Sequence, residues 1–469
     1  MSGPTLLIIV HSDSFEKAKD IEAANVLFEC SEFDEILMLA TPANNNQDWL
    51  SPYPRMFQIA YEDRGDRSFV ARYKAHNSEV GTLFHDYVPK EMLIDLYGCK
   101  ENSAEFAEIK SAFNDLLAFE AISRSKTDAI FATESPYLLE KNVWIQKRFE
   151  VKILSFLQAL EYTDLYLRRQ NSTSYYSAPH HTVVGGNAFH YWFLLKDLVP
   201  KFAEAWGISV FGADRVHNGL KIQNILQGFA SKFESALYSS DRISMEYMKR
   251  PNNSTEWEML YNLNYFCMLV TGIFDLLGWL SVYRYSIPIQ HPYQVSLHIT
   301  DPRSKGAKFV AAISRNNPSL ASFIVTKQNF IHSFYPMRDA TQHREPVSGA
   351  RFEQANEGWT VSTANVKQDA VSAIEAMDKN GYPFTEFGLL NTGVPNLMEP
   401  NRFARRTLRE LIDFSNTYLE MTDFPSLITE HPDLVDRIAH MEPIENYIPF
   451  VAKVYWKRDC HLPILFRNR

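Results

Sequence analysis

Cysteine is scarce: the 469 residues hold only four, Cys30, Cys99, Cys267 and Cys460, widely spaced and with no CxxC pair. That excludes a zinc ribbon and a disulfide framework, and it fits a reducing compartment. The phosphate-binding GxxxxGK motif followed by Ser or Thr is missing, as are GxGxxG, GxSxG, HExxH and an EF-hand loop. With them go the common P-loop NTPases, Rossmann dehydrogenases, α/β-hydrolases and zinc proteases. No basic segment precedes the first apolar run, Leu6–Val10, which reads as a buried strand rather than a signal peptide. The expected location is therefore cytoplasmic, where the sequons at Asn171 and Asn253 meet no glycosylation machinery. Positive charge is also in deficit: 47 Lys+Arg stand against 56 Asp+Glu, a net of −9, so coating nucleic acid through bulk charge does not fit this chain.

Apolar residues make up 45% and charged residues 22%, which is enough to bury a sizeable core. The length corresponds to about two to four domains. The first part alternates short apolar runs (Leu6–Val10, Ile36–Ala40, Asp128–Thr133) with helical spacing over Phe15–Phe28 and Glu105–Ile122. Met56–Tyr61 and Ser68–Lys74 flank Asp-Arg-Gly-Asp and read as a hairpin. This predicts an α/β layer domain over residues 1–165. A Ser-, Tyr-, His- and Gly-rich loop or linker is expected over 166–199. Helical patterns then dominate, over Ala213–Leu237, Trp257–Tyr283, Pro318–Tyr335 and Asn401–Glu420, and predict a helical bundle over 200–425. Residues 426–469 read as a tail packing on it. The fold class is thus multidomain, α/β followed by α. Met259–Tyr283 has no Lys or Arg, yet it carries Asn262, Asn264 and Asp275. An ionised Asp in mid-membrane costs a few kcal/mol, so a buried bundle helix is expected, and no membrane association.

Charge is unevenly spread. Residues 1–249 hold 25 basic and 33 acidic side chains, whereas 301–351 hold eight basic (Arg303, Lys305, Lys308, Arg315, Lys327, Arg338, Arg344, Arg351) and three acidic ones. Such a region either focuses a polyanion or is an ordinary solvated face. Arg402, Arg405, Arg406 and Arg409 stand at i, i+3, i+4 and i+7 on one helical stripe. Four like charges on one face call for an anion nearby, either RNA phosphate or the acidic N-terminal half. His180, His181 and His190 lack a Cys or carboxylate at ligand spacing, so they read as loop histidines and no metal or other cofactor is expected. Asp13 and Asp128 border strands, where carboxylates either hold Mg²⁺ or cap turns.

The most informative segment runs Phe-Ile-His-Ser-Phe-Tyr-Pro-Met-Arg-Asp-Ala-Thr-Gln-His-Arg-Glu from Phe330 to Glu345. Arg338, followed by a polar Asp339, precedes His343 by five positions. This resembles the signature of HEPN domains, helical bundles found in prokaryotic ribonuclease toxins and defence proteins: Arg, a polar residue, three more residues, then His. The resemblance covers about residues 200–425, and only the motif is specific. It implies a metal-independent RNA endonuclease, a toxin or antiphage effector, working as a homodimer on RNA, tRNA included, with a phage-derived or host trigger. His343 then takes the 2′-OH proton, Arg338 holds the phosphate and Asp339 orients one of them, leaving a 2′,3′-cyclic phosphate.

The chemistry suits these side chains. RNA carries its own nucleophile, a neutral imidazole is a base at cellular pH, and the guanidinium fork donates two hydrogen bonds to a phosphate. Arg344, Lys305, Lys308 and the four stripe arginines are the candidate RNA-binding residues. His332, Phe334 and Tyr335 can stack on a base or belong to the core. Five helical positions span about 500°, so Arg338 and His343 stand about 140° apart around their axis. The rival expectation is a non-catalytic bundle that dimerises or binds RNA or nucleotide.

Overall fold

The fold is taken from a computed structural model that describes residues 6–17, 21–29, 36–42, 55–65, 67–75, 78–85, 88–124, 128–149, 151–169, 174–178, 181–184, 187–248, 253–343, 349–354, 359–378, 385–390, 396–429, 431 and 433–434. It is a mixed α/β protein with a parallel sheet and a helical C-terminal region. Two compact units divide the chain: Met1–Gln170 with Glu353–Thr360, and Asn171–Phe352 with Val361–Arg469.

The first unit is built on β1 (Leu6–Val10), whose five residues are all buried. Strands apolar on both faces belong inside a parallel sheet covered by helices. β2 (Ile36–Ala40) and then β3 (Met56–Gln58) extend the sheet on one side, all parallel. On the other side lie β7 (Ala129–Ala132) and β8 (Ile153–Leu154), giving the order β3-β2-β1-β7-β8. Leu7 and Ile9 face the core formed with α3 (Ala104–Ser123). Their neighbours point to the opposite face by the two-residue period. On α1 (Ile21–Glu29) and α6 (Phe156–Arg169), which pack together, Phe28 and Phe156 meet edge to face at 5.8 Å. Ser103 caps α3 by accepting the Phe106 N–H.

The hairpin expected around Asp-Arg-Gly-Asp is present as β4 (Ala60–Gly65) and β5 (Ser68–Ala75). The run Met56–Tyr61 is split, however: its first half is β3 of the parallel sheet. A third antiparallel strand, β6 (Ser78–His85), had no clear sequence signal. Helices α2 (Lys90–Tyr97), α4 (Pro136–Glu140) and α5 (Asn142–Phe149) complete this unit. The predicted helix over Phe15–Phe28 instead begins as a 3₁₀ turn, Ser12–Lys17, ahead of α1.

The second unit corrects two boundaries. The stretch 166–199 is not a loop: it holds the end of α6, strands β9 (Ser174–Ala178) and β10 (His181–Val184), and α7 (Asn187–Leu198). Strands also interrupt the helical part, as a sheet of β11 (Gly349–Gln354), β12 (Trp359–Asn365) and β13 (Leu397–Met398). The core is the long pair α9 (Gly219–Met248) and α10 (Asn253–Arg284), joined by α8 (Pro200–Phe211) and α16 (Pro400–Thr422). α10 is long and apolar enough to span a membrane, yet 67% of its most apolar window is buried within the protein. Asn262 and Asn264 donate to the carbonyls of Glu258 and Leu260 one turn back, so their amides are satisfied within the helix.

The predicted helix Pro318–Tyr335 is broken into α12 (Pro318–Thr326) and α13 (Gln328–His332), followed by α14 (Tyr335–His343). α11 (Lys305–Ser314) precedes them and α15 (Gln368–Met377) follows. Phe274 of α10 holds this broken segment through its ring contacts with Phe330, Phe334 and, on α16, Phe414, at 5.7, 6.2 and 5.3 Å. Of the predicted tail, Ile428 and Leu434 join the core and Arg215 pairs with Asp433; 435–469 lie outside the described residues.

One close approach fixes the segment ahead of α11. A β-carbon on Gly306 would collide with the His298 carbonyl. Gly306→Ala is expected to cost about 1–3 kcal/mol through forced backbone displacement. Urea unfolding of the variant beside Gly228→Ala, where a β-carbon meets only ordinary contacts, checks this.

Candidate functional site

In the helical unit the motif residues Arg338 and Asp339 lie on α14, and His343 is its last residue. The His343 side chain, and Arg344 altogether, lie outside what the structure describes. Around Arg338 the fold assembles further titratable groups. Its guanidinium lies 5.6 Å from the centre of the Tyr335 ring. Tyr335 stacks at 4.1 Å on His298, and its hydroxyl donates to Asp275 of α10 at 3.3 Å. His298 Nε2 lies 2.7 Å from His332 Nδ1. Gln328 positions His298 by bonding backbone on both sides of it: its carbonyl accepts the Ile299 N–H and its amide donates to the Leu297 carbonyl.

Electrostatics follow from this packing. Burial, the adjacent His332 and a weaker opposing pull from Asp339 bring His298 down to about 4. Burial pushes the Asp275 carboxyl up, against the Arg338 charge and the Tyr335 hydrogen bond. Burial and the Asp275 carboxylate likewise raise Tyr335. The two rings are close enough for one nitrogen to donate and the other to accept. The sequence reading missed His298 and took His332 as a base-stacking or core residue. Thirty-four positions separate them; only the turn before α11 and the break between α13 and α14 bring them together.

The other candidate RNA contacts divide. Lys305 sits 4.2 Å above the ring of Tyr293, which is 59% exposed and itself stacked on His291. Lys308 is exposed on the same helix. Three arginines of the α16 stripe have partners within their own unit. Arg402 pairs with the buried Glu399, Arg406 with Glu386 and Glu410, and Arg405 donates to Ser244 at 3.5 Å. Arg405, Arg406 and Arg409 are half-buried, and Arg402, 54% exposed, is the most open of the four.

The α/β unit holds a second polar network, at the carboxyl ends of β1 and β7. His11 Nδ1 lies 2.9 Å from Thr133 Oγ1, and its Nε2 is 3.4 Å from Asp115 of α3. The Tyr61 hydroxyl donates to Asp115 at 2.7 Å. Ser14 Oγ donates to the His11 carbonyl and accepts the Glu134 N–H. Burial pushes Asp115 up to about 7, against hydrogen bonds from Tyr61 and Thr41. Sequence reading pointed here only through Asp13. Its proposed metal partner Asp128 precedes β7, whereas Asp13 follows β1. Because β1 and β7 are parallel, the two carboxylates lie at opposite edges of the sheet, roughly 13 Å or more apart along strands rising about 3.3 Å per residue. They cannot share an ion. Among the described residues no group of three or more His, Cys, Asp and Glu could hold a metal. His180 and the side chains of His181 and His190 lie outside the described residues.

In comparisons with known proteins, no protein family, curated protein or solved structure matches the chain.

Two pH dependences of opposite sign follow. His298, lowered from 6.5 to about 4, leaves the native state with fewer protons than the unfolded chain in that window. Its contribution to stability is therefore present above pH 6.5 and lost as pH falls toward 4. Asp115, raised from 3.8 to about 7, keeps a proton the unfolded chain has released, so its contribution is present below 3.8 and lost as pH rises through 7. Urea unfolding across pH 4–7.5 is expected to show His298→Gln removing a rising slope and Asp115→Asn a falling one.

Proposed function

We propose that the helical unit is a metal-independent RNA endonuclease of HEPN type, acting as a cytoplasmic toxin or antiphage effector. The observation that supports it most is that Arg338 lies over Tyr335, whose ring stacks on His298 of the His298–His332 pair, with Asp339 and His343 on the same short helix. A phosphodiester transfer needs a base, a cation for the phosphate and an acid for the leaving oxygen; the resemblance names His343 for the base, and Arg338 and His332 suit the other two roles.

In this reading His343 takes the 2′-OH proton, as the family resemblance implies. The 2′-oxygen bonds to phosphorus as the bond from phosphorus to the 5′-oxygen breaks. Arg338 holds the phosphate oxygens, and its seat on Tyr335 and beside Asp275 limits its rotamers before RNA arrives. His332 gives a proton to the departing 5′-oxygen, with His298 behind it as the neutral partner. The products are a 2′,3′-cyclic phosphate and a 5′-hydroxyl. Lys305 over Tyr293, with Lys308 nearby on α11, offers a cation and an open ring face for flanking nucleotides. Asp339 orients Arg338, and Arg402 is the stripe residue best exposed for phosphate; Arg405, Arg406 and Arg409 serve chiefly to anchor α16. A homodimer, with two such motifs facing one cleft, follows from the resemblance.

The contrary reading, a bundle that binds RNA without cutting it, draws support from the packing of Arg338 against Tyr335. RNA cleavage in EDTA separates the two. Wild type is expected to cleave and leave cyclic phosphate ends, His343→Ala to be inactive, and His332→Ala to lose about 10²–10⁴ in rate, the usual share of one acid or base group. Survival of cleavage in His343→Ala, or its loss with EDTA, defeats the proposal; RNA binding without cleavage by wild type establishes the binding module.

A further inference from the structure

The α/β unit has a cleft that the proposed ribonuclease chemistry does not use. It opens to solvent at the carboxyl ends of β1 and β7, between α3 and the start of α4. In the strand order β3-β2-β1-β7-β8 the chain steps outward from β1 in one direction and then returns to its other side. The crevice between β1 and β7 is where that order reverses. Open parallel sheets bind ligands at this point, because the loops leaving adjacent strands diverge there.

The lining selects the ligand. Asp13 and Ser14 come from the turn after β1, Glu108 and Ser111 from α3, and Ser135 and Tyr137 from the segment after β7. Among the described residues no Lys or Arg lines the cleft, and two carboxylates do. A phosphate or carboxylate ligand meets an unfavourable field there. What fits is a neutral molecule rich in hydroxyl donors: carboxylates accept from a vicinal diol, and serine hydroxyls both donate and accept. Tyr137 offers an aromatic ring to a flat group. Two lining residues are held rigidly. Ser14 bridges the His11 carbonyl and the Glu134 N–H, and the Ser135 N–H donates to Thr133 Oγ1. His11 also lines the cleft, and Thr133 and Asp115 hold it from behind. Polar groups set this firmly need not be ordered on binding.

We propose that this cleft binds a ribonucleoside through its ribose diol, with Asp13 and Glu108 accepting the two hydroxyls and the base lying against Tyr137. The site stands independently of the ribonuclease reading, and its test reads binding alone.

Isothermal titration of the full chain with adenosine, guanosine, cytidine and uridine tests it, beside the matching 2′-deoxynucleosides and 5′-monophosphates. At least one ribonucleoside is expected to bind saturably at micromolar to millimolar concentration. Loss of the 2′-hydroxyl, or Asp13→Asn or Glu108→Gln, should weaken it about tenfold or more, as for one hydrogen bond to a charged group. The monophosphate should bind more weakly than the nucleoside. The deoxynucleoside arm keeps the test sound if a variant misfolds. Absence of saturable binding by all four ribonucleosides overturns the proposal, as does equal affinity for the deoxy forms. Binding of spermidine or Mg²⁺ with no ribonucleoside bound also overturns it, since the carboxylates would then serve a cation.

Discussion

The position of Phe274 governs the helical unit. This α10 side chain is fully buried, and the rings of Phe330, Phe334 and Phe414 close on it from α13, from the turn before α14 and from α16. Aromatic contacts of this kind are directional as well as apolar, so they fix angles between elements as well as distances. The break after His332 is tolerable because Phe330 and Phe334 are both anchored on one ring. Everything polar around Arg338 is arranged by that anchorage: Tyr335 follows Phe334 directly, and His332 lies between the two anchored phenylalanines.

The α/β unit depends on a different constraint, the parallel pairing of β1 with its neighbours. Parallel strands put all carboxyl ends on one edge, so His11–Ser14 and Thr133–Ser135 meet whatever their separation in sequence. The same rule separates Asp13 from Asp128. A buried Asp115 from α3 then finds His11 and Tyr61 already in place. Two polar centres, one per unit, thus arise by unrelated routes: one from strand direction, the other from aromatic packing.

What could be read in the sequence follows from how local each signal is. Leu6–Val10, the long apolar pattern around Cys267 and the α16 pattern name their elements directly, because buried runs and helical periodicity are properties of neighbouring residues. β6 was not legible: its sequence, Ser-Glu-Val-Gly-Thr-Leu-Phe-His, leaves Leu83 54% exposed and makes a strand only by pairing with β5. The run 318–335 read as one helix because Pro318, a good first-turn residue, starts it and no further proline interrupts it before Pro336; the breaks follow from tertiary packing. Within the candidate site Arg338 and Asp339 were legible from spacing. His298 was not, since nothing in the residues around it announces a partner thirty-four positions away. The stripe of arginines was correctly seen as needing anions, but Glu399 and Glu410 lie so close in sequence that the nearest answer was overlooked.

The contact between Gly306 and the His298 carbonyl has a kinetic meaning. His298 lies in a non-helical segment, where side chains ordinarily sample many orientations, yet its backbone is wedged against the first turn of α11 and its ring lies flat on Tyr335. The imidazole therefore inherits the rigidity of the helix beside it. The 2.7 Å gap between His298 and His332 is thereby set by packing rather than by a search among side-chain orientations. A backbone hydrogen in place of a methyl group is what allows a loop residue to behave as if it stood in the core.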